Sequence, residues 1–134
     1  MVAVQEIKTV GPSEAEKLSQ AGVTTVEGLI EQGKTRSGRH RLAAASGLPE
    51  HDILKWVDRA HLMELKGVGK QYADLLEVAG VDSSLELSHR LPANLHQRLL
   101  DINTQQHLVQ RAPHMNEVEN WIQEAKATAG TVEH

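Results

Sequence analysis

The chain contains no cysteine, and this absence alone excludes disulfides, thiol nucleophiles, CxxC redox chemistry and thiolate zinc sites. Aromatic residues are scarce: there is no phenylalanine, and Trp56, Trp121 and Tyr72 are the whole supply. So little aromatic surface argues against a platform for stacking RNA bases. It also argues against a large β-sandwich, whose strands favour aromatic and β-branched side chains. No apolar run approaches the ~18 residues of a membrane span, and the opening MVAVQEIKTV lacks the basic and then apolar layout of a signal peptide. The expectation is a soluble, cytoplasmic protein with no membrane partner. Positive charge is not in excess either: 14 Lys and Arg against 18 Asp and Glu give a net −4. A protein that coats nucleic acid or membrane by global charge is thereby excluded, and any such contact must be local.

What is present is a repeat. At a fixed offset of 58, Lys8, Val10, Gly11, Ala15, Leu18, Ala21, Gly22, Val23 and Leu29 fall on Lys66, Val68, Gly69, Ala73, Leu76, Ala79, Gly80, Val81 and Leu87. Such density of identities over residues 7–29 and 65–87 reads as duplication of one module. Further on, ILKWVDRA (53–60) matches VENWIQEA (118–125) at an offset of 65, so that Trp56 pairs with Trp121 and the second copy carries seven extra residues. We therefore divide the chain into repeat one at 1–60, repeat two at 61–126, and a flexible, patternless tail at 127–134.

Helix signals dominate both copies. Pro12 suits a first helical position and Gly22 a terminating glycine. Thr24 with Glu27, and Ser83 with Glu86, have capping-box spacing for the next helix. A third helix is expected over 36–46, ending at Gly47. A fourth follows Pro49, with Ile53, Trp56, Val57 and Ala60 on one apolar stripe, and Trp121 occupies the equivalent stripe of the second copy. No sustained alternation marks a strand. The expected fold is all-α: two duplicated helical units, each with a hairpin-like turn, packed as one compact bundle.

The stretch LKGVGKQYADLL (65–76) carries the chemistry. Gly67 and Gly69 permit a tight bare turn, Val68 plugs it into the core, and Ala73 lets helices approach. The turn leads into a helix N-terminus, whose unsatisfied amides and partial positive charge favour an anion, with Lys66 and Lys70 on its flanks. These residues resemble the helix-hairpin-helix motif of proteins that bind DNA without reading its sequence. Over residues 1 to about 126, the duplicated hairpin and Trp-bearing helix are similar to the bacterial domain-of-unknown-function family 4332, a tandem helix-hairpin-helix family of the SAM-like helical type. The resemblance implies phosphate contact through the amides of Gly67, Val68, Gly69 and Lys70, and implies no catalytic activity. The first hairpin departs from the pattern. Thr9 stands at the first glycine position, and Pro12 replaces Lys70 and removes an amide donor.

Charge distribution adds a secondary basic patch. Lys34, Arg36, Arg39 and Arg41, with His40, lie in 33–49 without a carboxylate. In 87–116, Arg90, Arg98 and Arg111 face Asp101 alone. If four phosphates were neutralised, the salt slope would be about −3.6, equivalent to a roughly 150-fold loss of affinity between about 50 and 200 mM salt.

Other chemistry is set aside. GVGK (67–70) resembles the end of a phosphate-binding loop, but Glu64 and Gln71 occupy the places of the required glycine and hydroxyl. Eight histidines are scattered without HExxH or ligand spacing, so no metal is expected. Asp74 and Glu77, one turn apart, read as the solvated side of a helix. Glycosylases built on a similar turn need a larger base-flipping domain. The reading is a non-enzymatic, cofactor-free module that binds double-stranded DNA weakly and without sequence preference. The alternative is a protein-interaction or scaffolding module whose hairpins only join helices.

Overall fold

The computed structural model describes residues 2–134. The protein is all-α, in two compact units, Met1–His61 with Thr131–His134, and Leu62–Gly130. The first unit runs through a 3-10 turn (Val4–Glu6), α1 (Pro12–Gln20), α2 (Val26–Gly33), α3 (Arg36–Ser46) and most of α4 (Glu50–Glu64). The second holds α5 (Gly69–Val78), α6 (Ser84–Ser88), α7 (Pro92–Gln106) and α8 (Met115–Thr128), followed by a 3-10 turn over Ala129–Thr131. Among the described residues there is no strand, only an isolated bridge between Ala3 and Thr25.

Local chemistry explains most boundaries. Pro12 occupies the first turn of α1, where its missing N–H costs nothing. Gly22 and Gly80 both adopt φ +91°, a backbone that other residues resist. Behind them Val23 donates to the Leu18 carbonyl and Val81 to the Leu76 carbonyl, so α1 and α5 end in the same way. Gly47, at φ +76°, closes α3. At α6 the hydroxyl of Ser83 accepts from the Glu86 amide at 3.0 Å, as its spacing suggests.

The cap of α2 differs from expectation by one residue. Thr25, not Thr24, accepts from the Gly28 amide at 3.0 Å, and Glu27 turns instead to the amide of Val2. The cause is a long-range pairing: Val4 donates to the Thr24 carbonyl and Val26 to the Val2 carbonyl. The N-terminal segment thus lies along 24–26 and engages Thr24 through its backbone.

In the first unit α1 and α2 pack on α3, and Leu18, Val23, Leu29, Ile53 and Val57 are wholly buried. In the second, α6 and α7 pack on α8 and α5 packs on α7, around Leu75, Leu76, Leu87, Leu99, Val118 and Ile122. Each such side chain contributes about 1.5–3 kcal/mol by leaving water. The expected stripe of α4 is buried in full, as is Trp121 on α8. The additional length of the second copy lies in α7, which outruns α3, and in the loop behind it. There His107 takes a left-handed φ of +51°, and the Asn103 side chain accepts from the Val109 amide.

The tail is held rather than loose. α8 continues to Thr128, Val132 is buried, and the Glu133 amide donates to the Lys34 carbonyl at 2.7 Å. The Arg39 guanidinium reaches the Gly33 carbonyl at 2.9 Å and the Glu133 carbonyl. A segment without periodicity is ordered here because another part of the chain offers it main-chain partners and an apolar seat.

Candidate nucleic-acid interface

In the second hairpin, Leu65 and Val68 are buried while Lys66, Gly67, Gly69 and Lys70 are exposed. Gly67 has φ +82° and Gly69 φ +64°, with Val68 at −82° between them. Alternating handedness of this kind turns successive N–H groups toward a shared concavity suited to an anion. Around it lies an open depression bordered by residues 63–72.

The donors are not all available. The Val68 amide is bonded to the Leu65 carbonyl at 3.0 Å, so the phosphate contact expected of it does not fit the structure; Val68 plugs the turn and its N–H closes it. The Lys66 amide donates to Oε2 of Glu124 at 2.6 Å. Among the described residues, no protein acceptor takes the amides of Gly67, Gly69 and Lys70. The Lys70 ammonium lies 3.4 Å from Asp74 and stays half-exposed. No carboxylate among the described residues pairs with the Lys66 ammonium.

The first hairpin is closed by comparison. Its Val10 amide is bonded to the Ile7 carbonyl, as Val68 is to Leu65. The Gly11 amide, equivalent to that of Gly69, is taken by Glu14 at 3.0 Å, and Pro12 has no N–H to offer. The turn itself also differs, since Gly11 has φ −81°.

The basic residues of 33–41 do not assemble into a free patch. Lys34 pairs with Glu31 at 3.4 Å. Arg36 uses its side chain on the main-chain oxygen of His134 and its amide on the Glu133 carboxylate. Arg39 is 3 % exposed and holds two carbonyls. The bare Cα of Gly33 makes room for Val57, 2.6 Å from where a Cβ would stand, while the Arg39 stem lies at an ordinary contact distance of 3.7 Å. Only Arg41 of this group stays exposed with no hydrogen-bond or ion-pair partner among the described residues. In the second unit Arg90 pairs with Glu86 and donates to the Gly80 carbonyl, and Arg111 grips Glu117 with both terminal nitrogens at 2.7 and 3.0 Å. That grip, reinforced by the His114 amide, lowers the Glu117 carboxyl to about 2.

α8 brings Glu117, Trp121 and Glu124 to the hairpin, a juxtaposition not anticipated from the sequence. Together with Lys66, Gly67 and Asn120 they line a second, adjoining groove. The spacing of 117, 121 and 124 along one helix face is the signal that was available. Among the described residues no group of His, Asp and Glu is placed to hold a metal ion, and no helix is long and apolar enough to cross a membrane.

A family model, Domain of unknown function (DUF4332), matches residues 8–128. The chain belongs to that family. No curated protein and no solved structure matches it.

Proposed function

We propose that this member of the DUF4332 family is a non-enzymatic module of helix-hairpin-helix type that binds the phosphate backbone of double-stranded DNA weakly and without reading sequence. The observation that carries the reading is the contrast between hairpins: the amides of Gly67, Gly69 and Lys70 are open, whereas Glu14 and Pro12 close the first hairpin. A phosphate oxygen at the second hairpin receives main-chain donors at a helix N-terminus and the charges of Lys66 and Lys70. Phosphate contacts of this kind fix position and carry no sequence information.

The test is fluorescence anisotropy with a duplex of about 20 base pairs at about 20 mM salt, where phosphate contacts are strongest. Binding should be insensitive to sequence and weakened by Lys70→Glu. No anisotropy change at that salt overturns the reading and leaves the hairpins as joints of a protein-interaction module.

A further inference from the structure

Trp121 is 2 % exposed, and among the described residues its indole nitrogen has no hydrogen-bond acceptor. The ring is buried, but Nε1 itself is not among the fully enclosed polar atoms that lack a partner, so this N–H keeps access to the surface groove, where an indole donor readily takes an acceptor. The ring is fixed on one side by Tyr72, with centroids 5.1 Å apart at 50°. Its Nε1 lies against the hairpin: a Cβ built on Gly67 would stand 3.4 Å from that nitrogen. Trp121 also borders the groove shared with Lys66, Gly67, Asn120, Glu117 and Glu124. The two carboxylates there are already engaged, Glu117 by Arg111 and Glu124 by the Lys66 amide. The uncommitted groups along this edge are mostly donors: the indole N–H, the Gly67 amide and the Lys66 ammonium, with the exposed Asn120 carboxamide able to donate or accept.

We propose that Trp121 is a contact residue of the hairpin, donating its Nε1–H to a sugar or phosphate oxygen of the DNA strand whose phosphate sits on the amides of Gly67, Gly69 and Lys70. The inference rests on the nucleic-acid reading of the hairpin. It gives the bare Cα of Gly67 a second role, since a side chain there would stand between the strand and the indole.

The chain holds two tryptophans, so its indole N–H groups give two resonances in an amide-correlated NMR spectrum, assigned by Trp56→Phe. On titration with a DNA duplex of about 20 base pairs at low salt, the Trp121 indole resonance should shift with the amides of 67–70 while that of Trp56 stays in place. Trp121→Phe, which removes the N–H and keeps an aromatic ring, should weaken binding about three- to tenfold, as expected for one hydrogen bond. If anisotropy reports binding but the Trp121 indole resonance does not move, this inference is overturned and the hairpin reading stands. If the duplex does not bind at all, both fall. The NMR readout uses the unaltered Trp121 and therefore holds even if Trp121→Phe folds poorly.

Discussion

The main-chain N–H of Lys66 points at the carboxylate of Glu124, 2.6 Å away, so one donor of the open hairpin is already occupied by a negative group of the protein itself. A carboxylate in that position competes with an incoming phosphate for the same donor and repels it. Glu124→Gln keeps an acceptor and removes the charge. Duplex affinity should rise a few-fold, as expected for one exposed charge screened by water, about 1 kcal/mol. The melting temperature should fall by no more than a few degrees, because a hydrogen bond to a neutral acceptor contributes about 1 kcal/mol less than one to a charged acceptor. Unchanged or weakened binding by anisotropy would show that Glu124 does not face the ligand.

The salt dependence should be shallow. Arg36, Arg39 and Lys34 are engaged within the first unit, which leaves Lys66 and Lys70 to neutralise phosphates at the hairpin. Two neutralised phosphates give a log–log slope of about −1.8, or roughly a 12-fold loss of affinity between about 50 and 200 mM salt. A measured slope near −4 would mean that cations outside the hairpin take part.

Glycines of the first unit differ sharply in tolerance. A Cβ on Gly38 would lie 2.1 Å from the Gln32 carbonyl oxygen, whereas one on Gly47 meets open space. Gly38→Ala should therefore cost about 2–4 kcal/mol by denaturant unfolding, through backbone displacement. Gly47→Ala should cost about 1–2 kcal/mol, the penalty of its left-handed backbone alone.

Arg39 should behave as a structural residue. Arg39→Ala leaves the Gly33 carbonyl without its donor, a loss of about 1–3 kcal/mol, and it should abolish hydrogen-exchange protection at the Glu133 amide, which is bonded to Lys34. Arg39→Lys should recover little, because an ammonium cannot span both carbonyls as the planar fork does. Full protection of Glu133 in Arg39→Ala would disprove the clasp.

Acid should loosen the Arg111 and Glu117 pair late. The Glu117 carboxyl is lowered from 4.5 to about 2 by the Arg111 guanidinium, with the His114 amide second. A depressed carboxyl adds stability that is complete above its ordinary range and fades as pH falls from about 4.5 toward 2. In thermal melts, the difference between the natural chain and Glu117→Gln should be constant above pH ~5 and shrink below it. A difference that persists at pH ~2 would contradict the assignment.

Helix positions were legible because each copy carries local signals: Pro12, Gly22, Gly47 and Ser83 act within a few residues of themselves. The stripe of Ile53, Trp56, Val57 and Ala60 was readable for the same reason, since its period is that of the helix. Thr24 misled because its backbone is engaged by Val4, more than a turn of sequence away. Charge was the least legible quantity. Lys34, Arg36, Arg39 and Arg41 stand together in the sequence, but bonds to Glu31, Gly33, Glu133 and His134 decide which of them faces water. At the hairpin, glycine spacing located the turn, but only folding could bring Glu124 and Trp121 to it.

The docking of Thr131–His134 on the first unit also bears on the order of events at the ribosome. Residues 62–130 emerge with every segment of their own unit, whereas residues 2–61 emerge before them and lack 131–134 until all of 62–130 has followed. The unit that is synthesised earlier is therefore the one completed later. Until then the Arg39 guanidinium has the Gly33 carbonyl alone, and the Glu133 carbonyl completes the clasp afterwards.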